Sequence, residues 1–173
     1  QKLYSVVAKL VDWIAREFPD KLVVVFAVSK QFAEEIARRT RRRVVADPEE
    51  RVEGNLVITY ARGKLSEGID TVAGRNPDIV IAVGLPYPAT DKKFVAINKA
   101  IARRIGVDEK AFLRNMMNSE MITALTQLLG RAGRRRKGAC IIIDERAVIL
   151  RDIPYTTNTM ELKRALKKFF GEE

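Results

Sequence analysis

The chain has 173 residues, 47% of them hydrophobic and 31% charged, with a formal net charge of +10. That size fits one globular domain with a real core, and a balance so basic favours a polyanionic partner, nucleic acid or an acidic membrane surface. A single cysteine and no histidine exclude an internal disulfide, a Cys/His metal cluster and any His-based general base or triad. No apolar run approaches the roughly 18 residues of a membrane span, and no signal peptide is read at the amino end. The expected location is therefore the cytoplasm, with no membrane partner. The abundance of Arg, Lys and Glu resembles a thermophile's composition and, with it, a prokaryotic source. A start at Gln1 suggests a fragment of a larger protein.

In chain order, Leu3–Phe18 carries apolar residues at 3, 6, 7, 10, 11, 14 and 18, the spacing of an amphipathic helix. Leu22–Val28 (LVVVFAV) is a continuous apolar run and reads as a buried strand. Ser29 is a good N-cap for a helix over Lys30–Arg39. Val44–Ala46, Leu56–Tyr60 (LVITY) and Ile79–Gly84 (IVIAVG) read as three further strands. A long, mostly helical insertion is expected over about Asp91–Arg136, then a fifth strand at Ala139–Ile143, where Cys140 reads as a small core residue. Met160–Phe170 closes the chain as a basic amphipathic helix. Strands alternating with helices predict an α/β fold, a parallel sheet with helices on both faces.

Ligands of such sheets gather at the carboxyl ends of the strands, which directs attention to Ser29–Lys30, Ala61–Asp70 and Pro86–Asp91. The stretch QLLGRAGRRRKG, Gln127–Gly138, differs in preceding a strand. On a continuous helix, Gln127, Arg131 and Arg134 would fall within about 60° of one another. One amide and two guanidiniums would then share a face while Leu125, Leu128, Leu129 and Ala132 packed inward. Gly130 and Gly133 cost about 1 kcal/mol each inside a helix and suggest that something large approaches the backbone. The plainer reading is a basic helix end favoured by the macrodipole, which suits Arg135, Arg136 and Lys137 as surface residues.

The pattern Gln-x-x-Gly-Arg-x-x-Arg at Gln127–Arg134 resembles motif VI of superfamily 2 helicases. That resemblance implies a RecA-like domain whose Arg131 and Arg134 act as arginine fingers on the γ-phosphate of ATP, with Gln127 beside them. Guanidiniums suit such a role because they stay charged and bind phosphate bidentately. TYARGKLSEGID, Thr59–Asp70, is similar to motif V in the form typical of the XPD/DinG-like branch. It implies Thr59, Arg62, Gly63 and Ser66 as nucleic-acid contacts, and Gly68 and Asp70, with Gly130, as nucleotide-side residues. KLVVVFAVSKQFAEEIA, Lys21–Ala37, resembles motif IV, implying that Ser29 and Lys30 grip nucleic acid; Ser29 read alone is an N-cap. IVIAVGLPYPATDKK resembles the strand after motif V, where Tyr87 either packs or stacks on a base. Motif VI reads GRAGR where the XPD-like branch would have GRAIR, and the segment between Asp91 and Met121 is short and lacks clear motifs.

The sequence has no Gly-x-x-x-x-Gly-Lys-Ser/Thr phosphate loop and no Asp-Glu box for magnesium. The resemblance therefore implies the second motor domain of an ATP-dependent DNA helicase, tied to DNA repair. ATP and Mg2+ would be held only in a two-domain parent, with the first RecA-like domain and single-stranded DNA as partners and RNA left open. This chain alone would not turn ATP over. The competing expectation is a stand-alone nucleic-acid-binding module without ATP turnover; a Rossmann-type enzyme is disfavoured by the lack of a Gly-x-Gly-x-x-Gly after the first strand.

Overall fold

The computed structural model describes residues 2–171 except 48, 62–70, 73 and 135. The elements run α1 (Lys2–Glu17), β1 (Val23–Ala27), α2 (Lys30–Arg39), β2 (Leu56–Tyr60), β3 (Ile79–Val83), α3 (Lys92–Ile105), α4 (Glu109–Leu129), β4 (Ala139–Ile143), a 3-10 turn (Glu145–Ile149) and α5 (Thr159–Gly171). The sheet is wholly parallel in the order β2-β1-β3-β4. The expected α/β architecture stands. β1 and β3 are central and buried at every position, as their unbroken β-branched runs require.

Side chains alternate between the two sheet faces. Val23, Val25, Ala27, Ile58, Ile79 and Ile81 pack with α1, α2 and Leu166 of α5 on one face. Val24, Phe26, Val57 and Val80 pack on the other with Leu128 and Leu129 at the end of α4 and with the loop residues Val45 and Val72. Asn55 ties the end of α1 to the sheet: its amide donates to the carbonyls of Ala15, Phe18 and Lys21 at 2.8, 3.0 and 3.1 Å. The Ala15 carbonyl is one that a helix end leaves without an intrahelical partner, and Phe18 and Lys21 belong to the turn that leads from α1 to β1.

The expected strand at Val44–Ala46 is a single parallel bridge, Val44 with Ile58, plus one bond from Val45 N to Ile58 O. Asp47 follows at once, and its side chain turns the backbone by accepting from Glu49 N at 3.0 Å. Cys140 is exposed and not a core residue, because β4 is an edge strand on which only Ile141 is buried. The expected helical insertion is two helices. α3 ends at Gly106, which adopts the left-handed conformation (φ 74°) common at helix ends, and α4 stops at Leu129.

The chain forms two compact units, residues 1–85 with 127–173, and residues 86–126. The second holds α3 and most of α4, with Asn98, Ala102, Met121 and Leu125 buried and an ion pair from Arg103 Nε to Glu109 Oε1 at 2.5 Å. Among the described residues, no helix is long and apolar enough to cross a membrane.

Candidate functional site

The carboxyl ends of β1, β3 and β4 are bound together closely. Val28 N donates to Val83 O at 2.9 Å and Gly84 N to Ile143 O at 3.0 Å. Gly84 has φ 88°, and a Cβ there would lie 2.9 Å from Val28 Cβ, so both its conformation and the space available demand glycine. Asp144, at the exit of β4, accepts from Leu85 N at 2.8 Å and from Arg146 through Nε (3.0 Å) and Nη2 (2.7 Å). Burial pushes the Asp144 carboxyl up, but Arg146 and the N–H groups of Arg146 and Leu85 outweigh it and hold the group below the usual aspartate range.

Ser29 caps α2, its Oγ accepting from Phe32 N at 3.2 Å, and Ser29 and Lys30 are both exposed at this end of the sheet. Lys30 makes a loose pair with Glu34 at 3.9 Å, too solvated to hold the ammonium in place. Thr59 is placed otherwise. It is 1% exposed, and among the described residues its Oγ1 is buried without a hydrogen-bond partner, at odds with the expectation that this hydroxyl meets a nucleic-acid backbone. A strand residue points alternately to the two faces, and Thr59, in register with Phe26, points inward. Arg62, Gly63, Ser66, Gly68 and Asp70 lie outside the described residues. Tyr87 is half-buried.

The expected common face of Gln127, Arg131 and Arg134 is not formed by a helix, because α4 stops at Leu129 and a turn follows. Gly133 is left-handed (φ 68°) and donates to Pro77 O at 3.0 Å. What approaches Gly133 is the chain itself: a Cβ there would lie 2.6 Å from Gly138 N and 2.7 Å from Arg136 O. Arg134, Arg136 and Lys137 thus lie in a small loop closed by glycine against glycine, and Arg135 lies outside the described residues. Arg131 Nε donates to Gln127 O and Arg134 Nε to Gly130 O, each at 3.3 Å. Each side chain thus bonds back to the carbonyl four residues before it. Arg131 is 4% exposed, its guanidinium carbon 5.6 Å from the centre of the Phe26 ring. Gln127, Gly130 and Arg134 are exposed.

Arg136 lies on the surface as expected, its side chain 52% exposed, but it is engaged there in an ion pair. Its Nε and Nη2 meet the two carboxylate oxygens of Asp78 at 2.5 and 2.7 Å, and Nη2 also reaches Asp20 O at 3.0 Å. Asp78, 2% exposed, further accepts from Leu22 N at 2.7 Å. Burial pushes this carboxyl up, and the Arg136 guanidinium, the Leu22 N–H and the charge of Lys21 more than reverse it. A carboxylate abutting an apolar strand, at Asp78 before β3 and at Asp144 after β4, is the sequence signal for both clamps.

The model of the helicase C-terminal domain matches residues 3–168. The chain belongs to that family, as a RecA-like domain of superfamily 2 helicases in the XPD-like form. It is 28% identical over 141 residues to the regulator of telomere elongation helicase 1 homolog of Caenorhabditis briggsae, covering 78% of this chain and 14% of that protein. To the Fanconi anemia group J protein homolog of Gallus gallus it is 31% identical over 102 residues, 54% of this chain and 8% of that protein. The chain thus spans a small part of the curated relatives it matches. Its fold is similar to an XPD helicase structure (TM-score 0.61, 20% identity, 87% of this chain and 29% of the other). It is likewise similar to S. tokodaii Xpd4 (TM-score 0.55, 18% identity, 86% and 30%).

Proposed function

We propose that this chain is the second motor domain of an ATP-dependent DNA helicase acting in DNA repair, completing an ATP site shared with a first RecA-like domain. The observation that carries this reading is the pair of arginines folded back from the turn after α4, in a chain of this family. Arg134, exposed and bonded through Nε to Gly130 O, is the arginine finger that turns to the γ-phosphate. Arg131 must leave the Phe26 ring to join it, so domain closure around ATP is what draws it out. Magnesium and the β- and γ-phosphates fall to the first domain, whose bound ATP–Mg2+ supplies the phosphoryl group. Gly68 and Asp70 serve the nucleotide side, and Ser29, Lys30, Arg62, Gly63 and Ser66 the backbone of single-stranded DNA. A glycine lets a loop approach phosphates that a hydroxyl and a cation then bind.

The test is steady-state ATPase of the two-domain parent at saturating DNA. Arg134→Ala should cost roughly 10³-fold in turnover with DNA affinity nearly unchanged, because a finger stabilises charge present mainly in the transition state. Arg134→Lys should fail too, since an ammonium lacks the planar fork. Turnover within a few-fold of the parent, or sustained DNA-stimulated turnover by residues 1–173 alone, would sink the shared-site reading.

A further inference from the structure

A row of aromatic rings follows the seam between α1 and α5. Trp13 stands edge-on to Phe18 at 6.2 Å between centroids, Phe18 meets Phe170 at 5.2 Å, and Phe170 meets Phe169 at 4.8 Å. Four lysines lie over this row. Lys163 and Lys167, one helical turn apart on α5, place Nζ 4.7 and 5.9 Å from the Trp13 ring centre. Lys21 lies 5.5 Å from that of Phe170 and Lys137 4.6 Å from that of Phe169. Lys21 and Lys167 also pair with Asp20 (3.2 Å) and Glu17 (2.8 Å). Lys137 and Lys163 are held by ring faces. A ring face positions an ammonium at a gain of about 0.5–1 kcal/mol but carries no full negative charge to neutralise it. Arg164 and Lys168, both exposed, extend the charge along α5.

We propose that this lysine-over-aromatic face binds the phosphate backbone of a nucleic acid, as a second contact separate from the loops assigned above. Its position makes it separate: Lys21 and Lys137 precede β1 and β4, so the face lies toward the amino ends of the strands, away from Ser29 and Lys30. Ammonium groups held over ring faces suit repeating phosphates, which exchange condensed counterions for them. A bilayer suits the face less. An interfacial helix must bury its apolar side in lipid, and in α5 that side, Leu162, Leu166 and Phe170, is packed into the core.

Trp13 is the only tryptophan in the chain, so its fluorescence reports on this face directly. The experiment titrates the chain with a short oligonucleotide, single-stranded and duplex in turn, over a range of salt. It compares the parent with Lys137→Gln/Lys163→Gln/Lys168→Gln and with Lys30→Gln, and adds phosphatidylserine vesicles as a separate arm. In the parent, binding should change the Trp13 emission. The triple variant should lose this change, bind about tenfold or more weaker at low salt, and lower the log–log salt slope by about 2, near 0.7 per lost phosphate contact on single strands. The proposal is overturned by a triple variant with parental affinity and slope, by saturating oligonucleotide that leaves Trp13 emission unmoved, or by an emission change that vesicles produce and oligonucleotides do not. Lys30→Gln separates the two readings. Loss of binding there alone keeps the strand-end loops and rejects this face; loss in the triple variant alone does the reverse.

Discussion

Replacing Arg136 by alanine should unfold the domain at lower denaturant without touching the phosphate chemistry of its neighbours. Asp78 is 2% exposed and takes hydrogen bonds from Leu22 N, Arg136 Nε and Arg136 Nη2. Alanine leaves that carboxylate buried with the backbone bond alone. Breaking a fully buried pair costs about 3–5 kcal/mol. The Arg136 side chain is 52% exposed, so water can enter where it stood, and a loss of roughly 2–3 kcal/mol is expected. In urea, at about 1–3 kcal/mol per molar, the midpoint should fall by about 0.7–3 M. The pH dependence has a definite sign. In the parent the Asp78 carboxyl is held below its ordinary value, so its contribution is present above that value and is lost as pH falls through the depressed one. In the variant burial acts with less to oppose it, the carboxyl rises, and protonating it relieves the buried charge. The gap between parent and variant should therefore be widest near neutrality and narrow in acid. Asp78→Asn in the Arg136→Ala background should recover part of the loss. A variant within about 0.5 kcal/mol of the parent, as at an ordinary surface site, or a gap that is flat from neutral to acid pH, would refute the argument.

Thr59→Val should leave stability unchanged or raise it by about 1 kcal/mol in thermal melts, because it removes a buried hydroxyl that has no partner among the described residues and keeps the branched shape; a clear loss would show that the hydroxyl is bonded. Gly133→Ala should cost roughly 3 kcal/mol or more, left-handed strain of about 1–2 adding to overpacking of about 1–3. Gly106→Ala, equally left-handed but with nothing within 4 Å of its Cβ, should show the strain alone. Equal losses at the two glycines would mean that the contact between Gly133 and Gly138 is not the constraint.

The sheet was legible because its strands declare themselves by composition. Val23–Ala27 and Ile79–Val83 are apolar throughout, and only strands covered on both faces are written that way. Val44–Ala46 looked the same over three residues, too few to show that Asp47 ends the pairing after one bridge. The motif residues were found by spacing, and spacing assumed a helix that Gly130 and Gly133 do not continue. Those glycines were noticed, but the reason for Gly133, contact with Gly138 across a closed loop, depends on a pairing that local pattern does not contain. The ion pair of Arg136 is hidden for the same reason. Its partner lies 58 positions away, and nothing in RRRK separates an arginine that clamps a buried carboxylate from one that faces water.

β3 is pinned at both ends: Asp78 before it binds Leu22 and Arg136, and Asp144 beyond β4 binds Leu85 just after it. The consequence is mechanical. Parallel strands pulled lengthwise load their ladder bonds in shear, all together, and here the two carboxylates add charged bolts at the extremities of the same seam. The β1–β3–β4 block should then behave as a stiff lever. On the outer side of β2 lies the single bridge at Val44, a softer margin. A tether pulling at β4 would meet far more resistance than one peeling the chain away from β2.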